Sequence, residues 1–114
     1  MRKLSGTLAA LAFMMAGSSF AFADAIEGNW KTKSGETAAI SKCGGSFCIK
    51  LKTGEHAGKR IGKLKGASGS YAGTITDPSD DKQYSGSAKV SGKSMKLKGC
   101  ALKIFCKTQN WKKL

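Results

Sequence analysis

Four cysteines, one histidine, a short acidic run and a large excess of lysine are the groups in this 114-residue chain that could carry chemistry. The cysteines are Cys43, Cys48, Cys100 and Cys106. An even number in a small exported domain reads as disulfides. Three pairings are possible. Cys43–Cys48 and Cys100–Cys106 are favoured, because each pair brackets a short segment, Gly44–Phe47 and Ala101–Phe105. If each segment is a hairpin tip, the cysteines face each other across antiparallel strands, about 4.5–5.5 Å apart at Cα, within disulfide range. Loops this short limit each bridge to about 2 kcal/mol. The rival chemistry is zinc. Cys-x4-Cys and Cys-x5-Cys are loose spacings for that metal, and His56 is remote from both pairs. A Cys-x-x-Cys redox motif is missing as well.

The remaining candidates for catalysis or metal binding read more simply as turns. His56 sits in Gly54-Glu55-His56-Ala57-Gly58. Its neighbour Glu55 would point to the opposite face of an extended strand. No Gly-x-Ser-x-Gly nucleophile elbow is present. Asp77-Pro78-Ser79-Asp80-Asp81 lacks the alternating oxygens of a calcium loop, and Asp and Pro are ordinary turn residues. No catalytic residue, metal ligand or cofactor site is therefore expected, and the chain is not expected to be an enzyme.

These groups are delivered by an exported domain. Met1-Arg2-Lys3, the apolar run Leu8–Ala16, a Gly17-Ser18-Ser19 break and Ala21-Phe22-Ala23 follow the order of a cleaved signal peptide. Residues 1–23 are assigned to it, and 24–114 to a single domain. The apolar run is too short for a transmembrane anchor, which needs about 20 apolar residues. The expected location is the periplasm, or secretion, in a bacterium.

Of the 20 Lys and Arg residues, Arg2 and Lys3 fall in the leader; residues 24–114 keep 18 against 7 acids, a net charge of +11. Such a domain is drawn to polyanions. All but Arg60 are lysines, which favours a diffuse field over a bidentate phosphate site. Nucleic-acid binding is not expected, because stacking aromatics do not interleave with the lysines.

The positioning elements read as strands. Phe47, Ile49 and Leu51 alternate with Lys50 and Lys52; Tyr84, Gly86, Ala88 and Val90 alternate with polar residues up to Lys89; Met95 and Leu97 alternate with Lys96 and Lys98. This is the period of a strand with one face inward. Further strands are expected at 27–32, 37–42, 60–65, 71–76 and 103–112. Thr53–Ala57 is the one stretch able to make a brief helical turn. Glycines in Ser34-Gly35-Glu36, Cys43-Gly44-Gly45 and Ser91-Gly92-Lys93 supply hairpin turns. About eight strands in a meander close into an all-β antiparallel barrel, which removes exposed edges.

Gly28-x-Trp30 on the first strand resembles the lipocalin-type barrels, in which an early Trp packs across the closed end near the last strand; here that strand carries Trp111. A longer series is more specific: Gly28-x-Trp30, Cys43-Gly44-Gly45-x-x-Cys48, Ile75-x-Asp77-Pro78 with Lys82-x-Tyr84, and Leu97-x-Gly99-Cys100 running to Cys106-x-x-Gln109-x-Trp111. Over Asp24–Leu114 this resembles the domain of unknown function 2147 family, small exported proteins of Gram-negative bacteria. That family usually has glycine where this chain has Asp81, and often a Trp where the nearest aromatic here is Tyr71. The resemblance implies a small lipocalin-like barrel and a periplasmic or secreted location, with no reaction attached.

The function expected on these grounds is docking. Lys50, Lys52, Lys89, Lys96 and Lys98 would contact an anionic envelope lipid or glycan, or an envelope protein. The alternative is a barrel that carries a small apolar or amphipathic ligand. Inward Phe47, Ile49, Leu51 and Tyr84 argue for a filled core, and inward Gly86 and Ala88 for space.

Overall fold

A computed structural model describes residues 24–102 and 104–114. The leader assigned to residues 1–23 lies outside the described residues. Eight strands follow one another: β1 Gly28–Lys31, β2 Thr37–Cys43, β3 Ser46–Leu51, β4 Arg60–Ala67, β5 Ser70–Thr76, β6 Gln83–Ser91, β7 Ser94–Ala101 and β8 Phe105–Lys113. Each pairs antiparallel with the next, and β1 pairs with β8, so the sheet closes into a barrel in simple meander order. The alternation read in the sequence places each strand within a few residues. Gly35, Gly44 and Gly92 take positive φ in their turns, as hairpin chemistry requires. Thr53–Gly58 makes turns rather than a helix.

The barrel has two unlike ends. At one, the chain entering β1 folds underneath as a plug. Ile26 is fully buried there, and the Trp30 indole Nε1 donates to Ile26 O at 2.9 Å. The Tyr71 hydroxyl donates to the Asp24 carboxylate, and Lys113 Nζ sits 5.4 Å from the Trp30 ring centroid. Phe47 and Tyr71 meet edge to face at 5.6 Å. Trp30, Ile40, Phe47, Ile49, Leu64, Tyr71, Met95 and Trp111 form the packed core. Trp30 and Trp111 are diagonal neighbours across the β1–β8 seam, since Trp30 pairs with Lys113.

At the other end the sheet is less well closed. The β1–β8 pairing stops at Lys31↔Lys112. From Phe105 to Asn110 every residue of β8 is exposed. The expectation of a filled core therefore holds for the plugged half only. β1 is four residues long and β8 is nine, so β8 outruns its partner.

Candidate functional site

The open end contains a cavity of about 700 Å³. Ile61, Ile75, Tyr84, Leu97, Phe105 and Trp111 provide its apolar walls, and Asp77, Lys107 and Gln109 contribute polar groups. Alternation along β8 turns Phe105, Lys107, Gln109 and Trp111 to the same inner face. Gln109 is fixed there because its Oε1 accepts from Trp111 Nε1 at 2.9 Å.

Three glycines stand in one row on β5, β6 and β7, and Gly99 among them lines the cavity. Gly73 opposes Gly86, and Gly86 opposes Gly99, so one inward row crosses β5, β6 and β7 without side chains. The two outer consequences differ. A methyl group on Gly86 would run into the Ile75 side chain, so that space is already taken. A methyl group on Gly99 would meet nothing nearer than Tyr84 Cβ at 3.7 Å. Gly86 was expected to signal room inside; it instead seats Ile75, and the room lies at Gly99.

The Asp77–Asp81 turn stands at the mouth. Ser79 donates to Asp77 Oδ1 from its amide at 2.9 Å and from its hydroxyl at 2.6 Å. These bonds, aided by the nearby positive charge of Lys107 and His56, hold the Asp77 carboxyl below the ordinary aspartate value. Asp80 accepts from the Lys82 amide at 2.9 Å, and Asp81 pairs with Lys59 at 3.2 Å. The three carboxylates thus serve their own turn and its neighbour. Among the described residues no cluster of three or more His, Cys, Asp or Glu could hold a metal ion. Asp81 takes φ 58, the left-handed conformation that glycine enters most easily and that Asp tolerates better than most residues.

Both expected cysteine pairs form disulfides, and no free cysteine remains. Cys100 directly opposes Cys106, with Cα atoms 4.0 Å apart. The other bridge is diagonal. Cys43 opposes Ser46 and Cys48 opposes Ser41, and the Cα atoms are 5.8 Å apart. The facing geometry expected for both pairs therefore holds for one. The tight Gly44-Gly45 connection puts the first bridge one step off the ladder.

Lys50, Lys52, Lys89, Lys96 and Lys98 are all exposed, but they do not form one patch. Lys50 lies on β3 and Lys52 just beyond it; the other three lie on β6 and β7, across an eight-strand ring. Lys89 directly opposes Lys96. Of the motif residues, Trp30, Tyr84 and Trp111 face inward, while Gly28, at φ 133, starts β1 beside the Lys113 side chain. Pro78 and Asp77 reach the cavity mouth. The cavity residues missed in the sequence were Ile61, Gly99, Phe105 and Lys107. For Gly99 the available signal was the 13-residue recurrence of glycine at 73, 86 and 99, and for Phe105 and Lys107 their alternation with Gln109 and Trp111 on the last strand.

A family model described as an uncharacterized protein conserved in bacteria (DUF2147) matches residues 50–113. The match covers β4 to β8 and the end of β3, and so includes the Asp77-Pro78 turn, the glycine row and the Cys100–Cys106 hairpin. Gly28-x-Trp30 and the Cys43–Cys48 hairpin precede it. No curated protein and no solved structure matches the chain.

Proposed function

The chain belongs to the bacterial DUF2147 family, and we propose that within it this protein is a non-enzymatic envelope binding module whose open barrel end takes the apolar part of a small amphipathic ligand. The observation that carries this reading is the cavity of about 700 Å³ between Tyr84, Leu97, Phe105 and Trp111. Small-molecule sites are commonly concave, mostly apolar and about 300–1,000 Å³ in size, with a few polar groups to orient the ligand. Lys107, Gln109 and Asp77 are those groups here. The plug formed by Ile26 and Trp30 gives the ligand one way in.

A second reading rests on a separate observation. Lys89 and Lys96 stand directly opposite each other on the outer face, and like charges so placed destabilise a sheet. An anionic partner relieves that repulsion, so the β6–β7 face is a docking surface for anionic envelope material. Disulfides persist in oxidising compartments. Two of them, with the leader-like residues 1–23, support a periplasmic or secreted location.

Native mass spectrometry of the protein isolated from the cell envelope tests the first reading. A stoichiometric adduct that dissociates on activation supports it. A bare mass in protein handled without detergent or organic solvent counts against it.

A further inference from the structure

The β7–β8 hairpin ends in three large apolar side chains facing water: Leu102 is 82% exposed, Ile104 74% and Phe105 64%. Leu102 also stands at φ 53, a conformation in which a bulky residue is strained where glycine is not. Neither feature helps the barrel fold. Apolar side chains gathered at a surface mark contact sites, and Ile104 and Phe105 border the cavity mouth.

The protein behind this tip carries one sign of charge. Residues 82–114, which form β6, β7 and β8, contain nine lysines and no Asp or Glu. Nearest the tip are Lys98 on the outer face of β7 and Lys107 on β8, opposite Gly99; Lys89 and Lys96 stand further back along that outer face, and Lys112, opposite Ser94, lies at the far end. The neighbouring acids, Asp77, Asp80 and Asp81, are held by Ser79, the Lys82 amide and Lys59.

Apolar side chains beside a lysine-rich face are the means by which proteins lie at a bilayer interface: the former enter the acyl boundary and the latter meet anionic head groups. An acidic glycan or peptide would satisfy the lysines and leave Leu102, Ile104 and Phe105 in water. A lipid surface satisfies both. We propose that the β7–β8 hairpin tip inserts Leu102, Ile104 and Phe105 into an anionic phospholipid surface, setting the mouth of the cavity against the bilayer. This rests on the docking reading of the lysine face and names phospholipid as its counterpart. A ligand with an acyl chain would then pass between membrane and barrel without crossing water.

Sedimentation with vesicles tests it, using phosphatidylcholine alone or mixed with phosphatidylglycerol. The native protein is expected to bind the mixed vesicles and not the zwitterionic ones. The triple variant Leu102→Asn, Ile104→Ser, Phe105→Ser is expected to lose at least about tenfold in vesicle partitioning. Its melting temperature should not fall, and it should keep its retention on heparin, a soluble polyanion that reads the lysines alone. In a Phe105→Trp variant, brominated acyl chains should quench the added fluorescence. Undiminished vesicle binding by the triple variant, or no such quenching, overturns tip insertion and leaves the lysine-face reading standing. Failure of the native protein to bind either mixed vesicles or heparin overturns both.

Discussion

The Ile75 side chain occupies the place where Gly86 would carry its own, on the strand beside it. Gly62 and Ile49 repeat the arrangement, with a methyl on Gly62 falling 2.8 Å from Ile49 Cδ1. In each case a large side chain on one strand lies over a glycine on the next, on β3–β4 and on β5–β6, and the inner wall is packed without bulk from both. Gly86→Ala should force Ile75 off its rotamer and cost about 1–3 kcal/mol. Thermal unfolding would show the loss.

Gly99 sits in the same row yet has open space before it. Gly99→Leu should obstruct the cavity beside Tyr84 with little effect on the melting temperature, because the new Cβ meets Tyr84 Cβ at an ordinary 3.7 Å. Comparing Gly99→Leu with Gly86→Ala separates loss of cavity from loss of fold: the first should abolish ligand uptake in a stable protein, the second should weaken the protein itself.

Leu102 holds a left-handed conformation at φ 53. For an L-residue with a bulky side chain that conformation costs about 1–2 kcal/mol. Asparagine tolerates it better, so Leu102→Asn alone should stabilise the protein by about 0.5–1 kcal/mol. A rise in melting temperature accompanied by weaker vesicle binding would mark Leu102 as a residue kept for contact at the expense of stability.

The Asp77 carboxyl is held low by the Ser79 hydroxyl and amide, with Lys107 and His56 assisting. A carboxylate with a lowered folded value stabilises the fold above its unfolded value and gives that up as pH falls through the folded one. The turn should therefore contribute fully at neutral pH and weaken on acidification below the ordinary aspartate range. In a series of thermal unfolding curves, Asp77→Asn should lower stability at neutral pH and flatten the acid limb.

Much of the scaffold was legible in the residues themselves. Phe47-Cys48-Ile49-Lys50-Leu51 alternates cleanly, and one buried face is all that alternation encodes. Cys100 and Cys106 could be paired because a hairpin brings close neighbours opposite each other. What depends on the third dimension was less visible. Ile26 precedes the first strand and has no periodic partner, so nothing local marks it as a plug. The strand alternation that put Lys50, Lys89 and Lys96 outside is blind to where each strand stands around the ring, and the five lysines divide between distant strands. Gly86 was read by its size alone, whereas Ile75 across the ladder decides what that small size is for.

Binding of an apolar group at the open end, between Gly99, Leu97, Phe105 and Trp111, can be tested apart from the lysine face. The most direct measurement is a fluorescence titration of the protein and its Gly99→Leu variant with the uncharged probe N-phenyl-1-naphthylamine, at low and high salt. Saturable one-to-one binding that is insensitive to salt and lost in Gly99→Leu, with unchanged melting temperature, is the expected result. Absence of saturable binding to the native protein, or equal binding by an equally stable Gly99→Leu variant, would contradict it.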